Sequence, residues 1–264
     1  MNNIRAGNVK VAATIVSVLL LKTISIAQTV RPLINELGNP DKGHVDYVND
    51  SLTPLNVVLE MKSFSVSETG QLSYRPLDPN IHVKLSATSF RIQPQQTYHV
   101  FYEANSTQSP TWFVIYANFS GFPFRTAQGM NVRLELPHTV YLLPKQSVQK
   151  EEIHFDRAEL DSAQNKVLIE VENTGDNFGR ILQTQLIYSK KKQEAPGFPV
   201  FPHSKRILEI PLDTKTEAGN APASVEIEFQ NFKVEQKLQP ASDVAAGSAT
   251  TQLTTTTQEN TGDQ

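Results

Sequence analysis

Met130-Asn-Val-Arg-Leu-Glu-Leu-Pro-His-Thr-Val-Tyr-Leu142 places Met130, Val132, Leu134 and Leu136 on one face and Asn131, Arg133 and Glu135 on the other. That period of two is the mark of a half-buried strand. Pro137 has no amide hydrogen to give to a ladder, so the strand is expected to run along a sheet edge at least from that point. An edge carrying a row of large apolar side chains is an aggregation hazard unless pairing with a partner's strand is its task. Taken alone, the segment also reads as an ordinary core strand.

Outward from this segment, residues 45–238 consist of short stretches rich in Val, Ile, Phe, Tyr and Thr, broken by Pro, Gly, Asn and Asp every eight to twelve residues. This is the pattern of many antiparallel strands. Strands are expected at 43–48, 55–64, 81–85, 97–102, 112–119 and 131–142, the size of one immunoglobulin-like sandwich. A second group, at 152–155, 166–171, 181–188, 206–210 and 225–234, makes a shorter sandwich. The polar stretch 144–150, which begins with Pro144, reads as the linker between them. The fold class is therefore all-β, two immunoglobulin-like β-sandwiches in tandem, with domains at 28–146 and 147–238. From 239 to 264 the sequence turns to Ala, Ser, Gly, Thr and Gln, with too little apolar surface to offset ordering entropy, and reads as a disordered tail.

At the other end, Arg5 and Lys10 precede an apolar run over 11–21, and Ser25-Ile26-Ala27 supplies small residues for cleavage after Ala27. This is the pattern of a secretory signal peptide. As a helix the run reaches about 16 Å, roughly half of a ~30 Å hydrocarbon core, too short for a membrane anchor. Cleavage removes Arg5, Lys10 and Lys22 and no acidic residue, leaving an exported, more acidic chain without stable membrane insertion. The absence of cysteine excludes disulfides, thiolate metal sites and a cysteine nucleophile. Export without cysteine suits a bacterial periplasm, a reading that rests on the signal and not on the cysteine count. A net charge of −3 without a long basic run argues against nucleic-acid partners.

Chemistry has little to stand on. His44, His82, His99, His138, His154 and His203 show neither i, i+2 nor i, i+4 spacing, so no sequence-local metal site exists. There is no Gly-x-Ser-x-Gly elbow, phosphate-cradling glycine loop or His-Glu-x-x-His. The acidic pairs Glu151-Glu152 and Glu170 with Glu172 fit solvent-facing strand positions. The chain is read as a non-enzyme needing no cofactor and no metal.

A resemblance gives these features a common purpose. Val83-Lys-Leu-Ser-Ala-Thr-Ser-Phe-Arg-Ile-Gln-Pro94, Tyr98-His-Val-Phe-Tyr102 and Trp112-Phe-Val-Ile-Tyr-Ala-Asn-Phe119, in this order, resemble the periplasmic pilus (fimbrial) assembly chaperones. Phe90-Arg-Ile-Gln-Pro94 is the nearest piece. Val45-Asp-Tyr-Val-Asn-Asp-Ser-Leu-Thr-Pro54 and Val171-Glu-Asn-Thr-Gly175 are similar to further family segments. The resemblance implies a boomerang of two immunoglobulin-like domains that holds a pilus or fibre subunit lacking its last strand. The chaperone inserts its own last first-domain strand, and Met130, Val132, Leu134 and Leu136 would fill the subunit's groove by β-augmentation. An outer-membrane usher as a further partner is left open.

The family seats the subunit's terminal carboxylate on an Arg near the first strand and a Lys late in the last one. Arg31 lies close to the first position, Thr139 stands where the Lys is expected, and His138 and Lys145 are its neighbours. Ser109, Pro110 and Ile115 also depart from the pattern, which marks a divergent member. The alternatives are a secreted structural or adhesive protein of tandem sandwiches with no client, and a secreted enzyme or sugar-binding module using loops 121–129 and 194–202.

Overall fold

The computed structural model describes residues 28–121, 134–189, 191–213 and 221–241. The signal segment, Met130 and Val132 lie outside them. The first half of the chain runs through β1 (Gln28–Arg31), β2 (Ile34–Gly38), β3 (Asp41–Asn49), β4 (Leu55–Val66), β5 (Leu72–Pro76), β6 (Ile81–Leu85), β7 (Ser89–Ile92), β8 (Gln96–Ser106), β9 (Thr111–Ser120) and β10 (Leu134–Leu143). One sheet has the order β1-β3-β8-β6, the other β2-β10-β9-β4-β5 with β7 also on β4. Side chains alternate across each pleat, so Val45 and Tyr47 of one sheet meet Val57, Phe113, Ile115 and Phe119 of the other in a single core.

The second half contains β11 (Ile153–Asp161), β12 (Lys166–Asn173), β13 (Gly179–Arg180), β14 (Gln183–Ile187), β15 (Lys192–Pro196), β16 (Pro199–Val200), β17 (Ser204–Pro211), β18 (Ser224–Glu228), β19 (Lys233–Lys237) and β20 (Gln239–Pro240). Sheets β17-β12-β11-β20 and β15-β14-β18-β19 enclose a separate core around Val167, Ile169, Leu186, Val225 and Ile227. The two tandem sandwiches of the sequence reading are present.

Both sandwiches close one strand end with the same device. Asn49 and Asn173 are fully buried at the ends of β3 and β12. Each side-chain oxygen accepts a backbone N–H two residues on, from Ser51 and from Gly175, at 3.0 Å. Each side-chain amide donates to a carbonyl four residues on, Thr53 at 2.9 Å and Asn177 at 2.8 Å. An asparagine that replaces the missing backbone partners lets the chain leave the sheet without orphaned polar groups.

Three expectations are corrected. Residues 225–234 form two strands, because Phe229 and Phe232 stack at 4.5 Å around a tight turn. Gln239 and Pro240 are not tail: as β20 they pair in parallel with Glu159 and Leu160. The third concerns β10. It pairs with β9 from Leu134 to Leu142, but from Thr139 to Leu143 it is also covered, in parallel, by β2. Among the described residues the edge without a second strand therefore lies at Leu134–Pro137, not beyond Pro137.

Candidate functional site

The open half of β10 follows from strand geometry. Thr139 donates its N–H to the Leu33 carbonyl at 2.8 Å, so odd-numbered residues of β10 turn their backbone groups toward β2. Glu135 and Pro137 share that direction, and no described strand faces them there. Pro137 is tolerated because its nitrogen points to the open side, where the β9 ladder loses nothing. The side chains of Leu134 and Leu136 point the other way from those of Glu135 and Pro137, and pack half-buried against the rim of the first core. Beside this edge, Leu33 and Ile34 are 62% and 44% exposed.

His138 ends the open stretch. It is fully buried, and its Nδ1–H donates to the Pro32 carbonyl at 2.7 Å. Its Nε2 accepts from the Tyr102 hydroxyl at 3.0 Å, which in turn accepts from the Asn35 side-chain amide at 2.8 Å. Gly43 stands opposite Tyr102 on β3, and a Cβ there would occupy the space of the phenol ring. Burial pulls the His138 pKa down to about 4 against the pull of the Pro32 carbonyl, and pushes Tyr102 up to about 12. His138 is thus a neutral pin joining the β1–β2 crossover to β8 and β10. This corrects its reading as a carboxylate anchor: it carries no charge near neutrality, and both ring nitrogens are taken.

Arg31 is exposed at the end of β1, and Lys145 is exposed in the turn after β10. No described ion pair involves either. The cations between the sandwiches are others. Arg180 pairs with Glu36 of β2 and lies 5.1 Å over the Tyr141 ring. Arg206 of β17 is 8% exposed and donates to the Ser67 carbonyl at 2.7 Å. Ile207 N–H adds a bond to the Glu68 carbonyl at 2.8 Å, so the β4–β5 hairpin tip docks on the edge of the second sandwich. Around them Phe64, Val114, Tyr141, Phe178 and Phe201 form an aromatic joint flanked by Trp112, whose indole donates to the Phe64 carbonyl. Trp112 and Phe201 lie 4.5 Å apart, Tyr141 and Phe178 4.6 Å. Sequence reading missed these residues. Arg206 carried one signal, since it falls on the same strand phase as Leu208 and Ile210.

Two sandwiches held at an aromatic joint, with one strand half uncovered, have counterparts among solved proteins. The YadV chaperone matches with a TM-score of 0.51 at 10% identity, over 80% of this chain and 99% of that one. The SafB chaperone of Salmonella enterica, solved in complex with the SafA pilin, matches at 0.50 and 11% identity, over 81% and 97%. The fold is that of the pilus chaperones. No protein-family model matches the sequence, and no curated protein does. The pilus-chaperone fold therefore persists here at an identity where sequence comparison finds nothing.

Proposed function

We propose that the chain is a periplasmic chaperone that holds a pilus or fibre subunit by adding the open half of β10 to the subunit's incomplete sandwich. The observation that carries this reading is the one-sided pairing, among the described residues, of Leu134–His138: a half-exposed apolar strand whose outer side faces no described strand, bordered by exposed Leu33 and Ile34. Such an edge is costly to leave uncovered, and strand addition satisfies its main chain and its side chains together. The fold shared with SafB, solved with a pilin, supports the same partner class. Leu134 and Leu136, with Met130 and Val132 beyond the described residues, would be the groove-filling side chains. Each large side chain removed from water contributes roughly 1.5–3 kcal/mol before association costs. Neither metal nor nucleotide enters the mechanism.

The test compares the tagged exported chain with Leu134→Asp, both recovered from the native periplasm, with co-purifying proteins identified by mass spectrometry. The expected result is a strand-deficient subunit on the wild type and none on a variant that still melts cooperatively. If the folded variant retains the same subunit, β10 is not the donor.

A further inference from the structure

Asparagine stands two residues before a serine or threonine at three places: Asn49-Asp-Ser51, Asn105-Ser-Thr107 and Asn118-Phe-Ser120. This triplet is the acceptor pattern for a glycan on the asparagine side chain, and it can keep one only where the folded chain leaves that side chain in water. Two of the three fail the condition. Asn49 is fully buried, and its amide donates to the carbonyls of Thr53 and Ile92. Asn118 is 7% exposed, between Val58 of β4 and Glu135 of β10. A sugar on either nitrogen would have to displace close-packed neighbours.

Asn105 meets the condition. It is exposed near the end of β8, one residue past the point where the ladder to β3 stops at Ala104. Side chains two apart on a strand share a face, so Asn105 stands with Glu103 on the outer side of its sheet, while Tyr102 and Ala104 turn into the core. Thr107 follows, exposed, in the connection to β9. The segment is held by other groups: Asn39 donates to the Ser106 carbonyl and accepts its N–H, both at 2.9 Å, and the Thr107 N–H donates to the Asn80 carbonyl at 3.2 Å. Neither the Asn105 amide nor the Thr107 hydroxyl is used for this among the described residues. Glu103 also places a carboxylate two positions before the acceptor, where a basic group of a transferase can hold it; Tyr47 and Tyr116 stand there in the other two triplets.

We propose that Asn105 is an N-glycosylation site of the exported chain. The donor class is an oligosaccharide linked through its anomeric carbon to a polyprenyl diphosphate. The Asn105 side-chain nitrogen forms a bond to that carbon and the carbon–oxygen bond to the diphosphate breaks. The polyprenyl diphosphate leaves with the electron pair, and the amide gives one proton to a base of the transferase. Thr107 positions the acceptor segment through its hydroxyl. Because the Asn105 backbone is laddered to His82 of β6, transfer takes place before β8 is seated, and folding then keeps the glycan outside. β8 and β10 belong to different sheets, so a glycan on the outer face of the first leaves the β10 edge uncovered. The inference rests on export and not on strand donation.

The test recovers the full chain from cell fractions of its native host and reads its intact mass and the fragmentation of the peptide containing residue 105. The expected result is a sugar increment on Asn105 of the periplasmic chain and none on Asn49 or Asn118. Asn105→Gln and Thr107→Ala should each lose the increment while melting as cooperatively as the wild type. A periplasmic chain without the increment, an increment on another residue, or one retained by Asn105→Gln overturns the site. A chain found only in the cytoplasm overturns it as well, and marks the failure as one of export.

Discussion

The two halves of β10 share one alternation and one neighbour, β9, yet differ in fate. In Thr139–Leu143, β2 lies along the far side, and Val140 and Leu142 are fully buried. In Leu134–His138 that cover is missing, and Leu134 and Leu136, on the same face, are only half-buried. An apolar period of two therefore states which face turns inward. It does not state whether the strand is finished, because completion depends on a second strand supplied from elsewhere.

The largest expected effect separates the halves directly. Val140→Asp places an unpartnered charge opposite Phe113 in the first core and should cost more than about 4 kcal/mol, abolishing a cooperative thermal melt. Leu136→Asp, on the same face of the open half, should cost about 1–2 kcal/mol and leave the melt intact. Equal losses at the two positions would break the comparison.

Next comes the pin between the halves. The His138 pKa is about 4 in the folded chain against an ordinary 6.5, so the unfolded chain takes the proton first as pH falls. Stability should be at full value above pH 6.5, decline by roughly 3 kcal/mol between 6.5 and about 4, and level off below. Denaturant melts across that window check it, and His138→Gln should remove most of the slope relative to wild type. An unchanged slope would mean that other groups dominate acid unfolding.

The smallest effect lies beside the edge. Leu33→Asp, at a position 62% exposed, should change stability by no more than about 0.5 kcal/mol while reducing the amount of subunit recovered with the chain. A large stability loss would show that the crossover, not a partner, needs this side chain.

The fold was largely legible because most strands carry Val, Ile, Tyr and Phe at period two, a pattern that only sheet burial explains. The omissions have physical reasons. Ile34-Asn-Glu-Leu-Gly38, between Pro32 and Pro40, is not among the expected strands, since parallel pairing with β10 leaves no alternation strong enough to notice. β5 is exposed at every position and has no inward face to display. The direction of the open edge was misjudged because Pro137 reveals that one backbone nitrogen is unpaired and is silent about which residues beyond it gain a partner. The joint was invisible for a related reason: Tyr141, Phe178 and Phe201 look like core residues of their own sandwiches, and only the packing of one sandwich on the other brings them together.

The double pairing of the second half of β10 has a mechanical consequence. A load applied along the strand from its open end is met by the ladders to β9 and β2 in shear, with many hydrogen bonds sharing the force at once. The side chain of Tyr141, wedged against Phe178, carries part of the same load into the second sandwich. Pulled lengthwise, the strand would hold firmly, whereas a pull perpendicular to it would peel the open half away from β9 one bond at a time.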